Sequence, residues 1–182
     1  MGDIYSFAKI FHFTAKLESI ANEMLTPPIH IRLKPTNRCN HGCSYCCYRN
    51  PDLHLSELMR HDDHIPAGKM EEIISDIAGM GVRAVTFSGG GEPLIYPYFS
   101  DAAEGLMTRG VKVSVLTNGS LLNGDIAGLL GGGAAWVRVS MDGASPEDYS
   151  KARGVSVREF GKVCSNIGNF ARIKRKECQL GV

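Results

Sequence analysis

Apolar residues recur along the chain with two different periods, and the points where the period changes divide it into elements. Between residues 4 and 25, Ile4, Phe7, Ile10, Phe11, Leu17, Ile20 and Met24 have spacings that suit an amphipathic helix, which Thr26-Pro27-Pro28 ends. Alternating Ile29, Ile31 and Leu33 predict a strand over 29–34. Residues 35–66 follow no period. Beyond Pro66 the pattern becomes regular. A helix over 66–80, with Met70, Ile73, Ile74 and Ile77 on one face, leads to a strand over 83–87. A helix over 97–108 leads to an apolar strand over 111–116. A short helix over 125–130, followed by Gly131-Gly132-Gly133, leads to a strand over 136–141. A short helical turn at 146–151 and a long helix over 157–176 precede a last strand, 178–182. The glycines in 124–133 mark that helix as locally weak.

Strand and helix in repeated alternation imply a parallel sheet with crossover helices. Ligands of such folds sit at the carboxyl ends of the strands. Here the four complete strands end in Lys34-Pro35-Thr36, in Ser88 to Pro93, in Thr117-Asn118-Gly119 and in Ser140-Met141-Asp142-Gly143. Every unusual segment therefore falls on one rim. Residues 1–28 read as an N-terminal helical extension and residues 29–182 as one core domain.

Composition narrows the function classes. The 182 residues are enough for one domain with a core. Apolar content of 43% and charged content of 21% are ordinary for a soluble globular protein. Twenty basic against nineteen acidic side chains leave a formal charge of +1, which gives no electrostatic argument for nucleic acid or an anionic membrane. No run of about 18 apolar residues predicts a membrane span, and the N-terminus lacks a signal pattern, so a cytoplasmic location is expected.

In a reducing compartment the six cysteines are read as thiols or metal ligands. Cys164 and Cys178, far from the rest, read as buried small hydrophobes. The other four fall in Cys39-Asn40-His41-Gly42-Cys43-Ser44-Tyr45-Cys46-Cys47, inside the aperiodic segment. Long loops in compact domains tend to carry function. Cys39, Cys43 and Cys46, spaced CxxxCxxC, can wrap one metal centre. Zinc would want a fourth ligand, for which Cys47, His41, His54, His61 and His64 are candidates. An iron–sulfur cube held by three thiolates would keep one iron open to a chelating substrate. Spacing alone leaves both open. Cys47 reads as a packed or spare thiol, because adjacent side chains diverge.

CxxxCxxC after a first strand, with Tyr45 before the last cysteine, resembles the signature of the radical SAM superfamily. The later strand ends resemble its other motifs in order: Gly90-Gly91-Glu92-Pro93 a GGEP segment, Thr117-Asn118-Gly119 a polar strand end, Ser140-Met141-Asp142-Gly143 an S-x-D-G segment, and Arg153-Gly154 an Arg-Gly pair. The resemblance implies a partial, open TIM-like parallel (β/α) barrel: about four βα units, an N-terminal helix and the start of a fifth strand. It implies a 4Fe–4S cluster on Cys39, Cys43 and Cys46. It also implies S-adenosylmethionine held by Gly90, Gly91, Glu92, Pro93, Asn118, Ser140, Asp142 and Arg153, with the Glu92 loop at the methionine amino group and Arg153 at its carboxylate. One electron from such a cluster breaks a sulfonium C–S bond, and a 5′-deoxyadenosyl radical takes hydrogen from a substrate.

Family cores have about six βα units, so the chain is expected to be C-terminally truncated, ending in an unpaired strand. Two alternatives accompany the enzyme reading: a truncated fragment that binds cluster and S-adenosylmethionine without turnover, and a zinc-binding interaction module. The partners implied are a small-molecule or peptide substrate and an electron donor such as flavodoxin or ferredoxin, with no nucleic acid and no membrane. No residue of the chain is assigned as catalytic.

Overall fold

The computed structural model of the chain describes residues 11–50, 52 and 59–182. Five parallel strands form one sheet: β1 (His30–Leu33), β2 (Ala84–Phe87), β3 (Lys112–Thr117), β4 (Trp136–Val139) and β5 (Gln179–Gly181). Their spatial order is their sequence order, β1-β2-β3-β4-β5. Parallel neighbours joined by right-handed crossovers in unbroken order place all the connecting helices on one face. The result is an open, barrel-like sheet with a helical outer layer.

The helices are α1 (Thr14–Ala21), α2 (Ala67–Gly79), α3 (Phe99–Thr108), α4 (Gly124–Gly133), α5 (Pro146–Arg153) and α6 (Arg158–Ile173). Of the N-terminal helix predicted over 4–25, residues 4–10 lie outside the described residues; α1 buries none of its own residues. Helix α2 forms where Met70, Ile74 and Ile77 recur at helical spacing, and all three are buried. Helix α5 is specified at both ends. Ser145 caps it by accepting from the Asp148 amide at 3.1 Å, Pro146 opens it, acids fill its first turn and bases its last. Gly154, at φ 61°, stops it.

The register sets Leu33, Phe87, Val115 and Val137 in one row, with Val85 and Val113 two residues before it and Val139 two residues after. These residues face the helices and form the core with Ile74, Phe99, Leu106, Leu130 and Phe170. The intervening residues, among them Arg32, Thr86, Ser114, Trp136 and Arg138, face the concave side. The period of two in the sequence thus separates core from site.

Two expectations need correction. The fourth helix does not end at Leu130 but runs through Gly133. A Cβ on Gly133 would stand 2.4 Å from Met107 Sδ, and one on Gly131 3.2 Å from Lys174 Cα. Close packing against α3 and the end of α6 outweighs the roughly 1 kcal/mol that each glycine costs a helix. Cys164 is exposed, whereas Cys178 is buried as expected. The buried stripe of α6 is Val163, Asn166 and Phe170, and Cys164 lies one step off it. No described helix is long and apolar enough to cross a membrane.

Phe87 is fully buried and meets Phe99 edge-on, with ring centroids 5.2 Å apart. Phe87→Ala should therefore lower unfolding free energy by about 3–5 kcal/mol, measured by urea denaturation.

Candidate functional site

The chain leaving β1 is hydrogen-bonded on both sides before it reaches the first cysteine. On one side the Asn37 amide donates to Asp63 O (2.9 Å) and the Ile65 amide to Pro35 O (2.9 Å), and Thr36 bridges His64. On the other the Gly91 amide donates to Thr36 O (2.9 Å) and the Glu92 amide to Arg38 O (2.8 Å). The contact has no room for side chains: a Cβ on Gly91 would lie 1.9 Å from Arg38 O, and one on Gly90 2.5 Å from Asn37 Oδ1. The glycine run after β2 is thus a backbone clamp on the segment that presents Cys39.

The second anchor is the end of α5. The amides of Gly42 and Ser44 donate to Arg153 O (2.9 Å) and Ala152 O (3.1 Å), carbonyls that the helix leaves free. A Cβ on Gly154 would lie 2.4 Å from Gly42 O, so the Arg-Gly pair divides its work: the glycine admits the loop, and the arginine reaches into it. Arg153 is buried; its Nη1 donates to Cys43 Sγ at 3.2 Å and its Nη2 to Ser140 O, and Asp142 Oδ2 lies 3.3 Å from Nη2. Burial opposes the guanidinium charge, but the bond to Cys43 and the charges around it prevail, and its pKa lies above the ordinary value. Tyr45, before the last cysteine of the motif, donates to Asp142 Oδ2 at 2.6 Å, and burial with that bond raises its pKa.

Cys39, Cys43 and Cys46, each half-buried, line one cavity of about 380 Å³. Cys47 also borders it but is exposed, so it is not a packed thiol. Burial pushes the Cys39 thiol pKa up, against the His41 amide and the Arg49 charge, which lower it. The opposite wall is formed by residues 88–92 and the ends of β3 and β4.

The strand ends are tied to each other through Glu92. Its carboxylate is buried and accepts from Thr117 Oγ1 (2.6 Å), the Asn118 amide (2.7 Å) and the Leu94 amide (3.1 Å). Burial pushes its pKa up, against these three bonds and Arg153. Asn118 continues the network to the cysteine loop, donating from Nδ2 to Asn40 Oδ1 at 2.8 Å, and Asn40 donates to Ser120 Oγ at 2.5 Å.

The residues singled out in the sequence are therefore brought together. Gly90, Gly91, Glu92, Asn118, Ser140 and Arg153 line the cavity with the three cysteines. Pro93 is buried behind Glu92 at the start of a 3₁₀ turn, and Asp142 stands at the edge, joined to Tyr45 and Arg153. Of the candidate histidines, His54 lies outside the described residues. His64 does not border the cysteines' cavity, His61 shares an adjoining cavity with Cys39, and His41 lines the cysteines' cavity while its ring packs edge-on against Tyr149. Sequence reasoning missed Arg32, Arg49 and Ser88, which line the cavity, and Asn166, which reaches from α6 to Gly119 O (2.9 Å) and Ser120 O (3.1 Å). Arg49 adjoins the cysteine motif and Ser88 the glycine run, so proximity was a usable signal there. Asn166 sits in an unremarkable helix and gave none.

Residues 33–179 match the family described as the radical SAM superfamily. The chain belongs to the radical SAM superfamily. It is 32% identical over 124 residues to a probable GTP 3′,8-cyclase of Methanothermobacter marburgensis, covering 68% of this chain and 38% of that one. A probable GTP 3′,8-cyclase of Methanosarcina acetivorans is 34% identical over 137 residues, covering 75% of this chain and 40% of that one. In fold the chain is similar to Streptococcus suis SuiB bound to the precursor peptide SuiA, with a TM-score of 0.69 at 19% identity over 98% of this chain and 38% of SuiB. The chain spans about two fifths of the length of these relatives. The cofactors of this radical SAM chain are those of its superfamily, a 4Fe–4S cluster and S-adenosylmethionine.

Gly91→Ala should cost about 1–3 kcal/mol of stability, seen by denaturation, because the clash is with backbone. It should also lower iron uptake, measured as iron per chain. Glu92 makes a pH-dependent contribution of known sign. Its folded pKa lies above the ordinary 4.5, so its contribution is fully present below 4.5 and is lost as pH rises through the folded value. Wild type should gain stability relative to Glu92→Gln as pH falls through that interval, measured by urea denaturation at a series of pH values.

Proposed function

We propose that Cys39, Cys43 and Cys46 hold the 4Fe–4S cluster through three of its irons, and that the chain binds and reductively cleaves S-adenosylmethionine at the fourth. The carrying observation is that these three thiols, Arg153 and the glycine clamp enclose one cavity at the strand ends. The donor set fits as well: three thiols on one loop can serve three corners of a four-iron cube and leave the fourth iron open. When bound, cluster and S-adenosylmethionine supply one electron and a 5′-deoxyadenosyl radical, with methionine released, for hydrogen abstraction from a substrate.

The chain's own residues hold and orient. Arg153 sets a positive charge against Cys43, where thiolate and cluster concentrate negative charge. Among the described residues its remaining buried Nε has no partner, which suits an anionic group such as the methionine carboxylate. Residues 89–91 bring bare backbone to the cavity, where it meets the methionine amino group, with Glu92 and Pro93 fixing the turn. Asn118 and Ser140 supply polar contacts from β3 and β4, and Asp142 holds Tyr45 over the loop. The substrate is a small molecule or a peptide: the sequence relatives are named for GTP, and the SuiB structure holds a peptide. The electron arrives from a flavodoxin or ferredoxin.

Anaerobic reconstitution should load about four irons per chain. With S-adenosylmethionine and a strong reductant it should release 5′-deoxyadenosine, measured by chromatography. Cys39→Ala, Cys43→Ala and Cys46→Ala should each abolish both, and Cys47→Ala neither. One tightly held zinc ion per chain, with no iron taken up, overturns the proposal.

A further inference from the structure

We infer that the concave face of the sheet binds a phosphate-bearing small molecule of several negative charges, gripped by Arg32 of β1 and Arg138 of β4. This rests on the reading of the adjoining cavity as the site of radical chemistry. The face can be read from the register. One row runs Arg32, Thr86, Ser114, Trp136 and Gln179; two residues further on stand Leu116, Arg138 and Gly181, and two residues before it His30, Ala84 and Lys112. Its ionisable side chains are thus His30, Arg32, Lys112 and Arg138, and no strand contains an aspartate or glutamate.

The two arginines stand where a substrate must approach. Arg32 lines the same cavity as the three cysteines, beside Ser88 and Leu116 of this face. Arg138 is exposed and extends over β5, where Gly181 leaves it room: a Cβ there would lie 3.6 Å from Arg138 Cγ. Among the described residues neither arginine forms a salt bridge with a carboxylate. The carboxylates nearest the rim are already engaged, Glu92 by three donors and Asp142 by Tyr45 and Arg153. His30 adds no fixed charge. Its Nε2 lies 2.8 Å from Thr86 Oγ1, and burial followed by the Arg32 charge holds its pKa below the ordinary value.

One guanidinium at the cavity and one exposed on the same concave face, neither paired with a carboxylate among the described residues, favour an anion that presents oxygens to both. Span selects among anions. Strands β1 and β4 are three inter-strand steps apart, about 14 Å along a flat sheet and less along a curved one. A lone carboxylate meets one arginine only, whereas a di- or triphosphate chain, or a phosphate at the end of a longer molecule, can engage both. The uncharged Leu116 and Trp136 between them offer an apolar seat for the remainder of the molecule.

The test is titration of the reconstituted chain with inorganic triphosphate, GTP and guanosine by calorimetry, together with the emission of Trp136, the single tryptophan. Triphosphate and GTP should bind and shift the emission, and guanosine should not. Equal affinities for the two would mean that the phosphate chain alone is recognised, and tighter GTP binding that a nucleotide is. Arg32→Gln with Arg138→Gln should weaken binding at least tenfold, while Arg32→Lys with Arg138→Lys should retain part of it, which separates lost charge from lost fold. Iron per chain is measured on the same samples, so loss of the cluster and loss of anion binding are read apart. Failure of both phosphates to bind in iron-loaded protein, or unchanged affinity in the folded Gln variant, overturns the inference.

Discussion

The position of the three cysteines depends on a short stretch of backbone, residues 36–38, hydrogen-bonded on both flanks. Neither flank is a strand of the sheet, yet together they hold the segment as firmly as a ladder would. The interaction is possible only because residue 91 has no side chain. The remainder of the site then follows by attachment. Glu92, next in the chain, is pinned beneath β3, and Asn118 ties β3 back to Asn40 inside the cysteine loop. Removal of one contact in such a circuit loosens groups at several strand ends, because each buried polar atom would lose a partner it cannot replace with water.

The strands divide their labour by alternation. Residues directed outward are almost all valine, leucine or phenylalanine and supply the core; those directed inward mix basic, polar and a few apolar residues, and Arg32 and Leu116 among them reach the cavity. Helices cover one face only, so the inner face is free to vary in chemistry without disturbing packing. SuiB, whose structure holds a peptide, has a similar fold at 19% identity, in keeping with this separation.

Much of this was legible in the sequence. Apolar periods placed every strand and helix after residue 65, and the unusual residues fell one set per strand end, which is why Gly90, Glu92, Asn118, Ser140 and Arg153 could be named together. What failed was local. Glycines at 131 and 133 read as a helix stop because propensity is visible in sequence and the approach of Met107 is not. Cys164 read as buried because one residue of helical phase separates it from Val163. Arg32 drew no notice as a charge in a strand. Its meaning comes from the register, which sets it in one row with residues of the four other strands and at the cysteine cavity.

Helix α5 is only eight residues long and docks its last turn on the cysteine loop. Two of its terminal carbonyls are satisfied by that loop and by nothing in the helix itself. Fraying of the turn and opening of the loop are consequently one event with one free energy. Amide hydrogens of Gly42 and Ser44 then exchange at the rate set by the opening of α5. The capping of this helix, by Ser145 at its start and Gly154 at its end, thereby sets how long the cysteine loop keeps its shape.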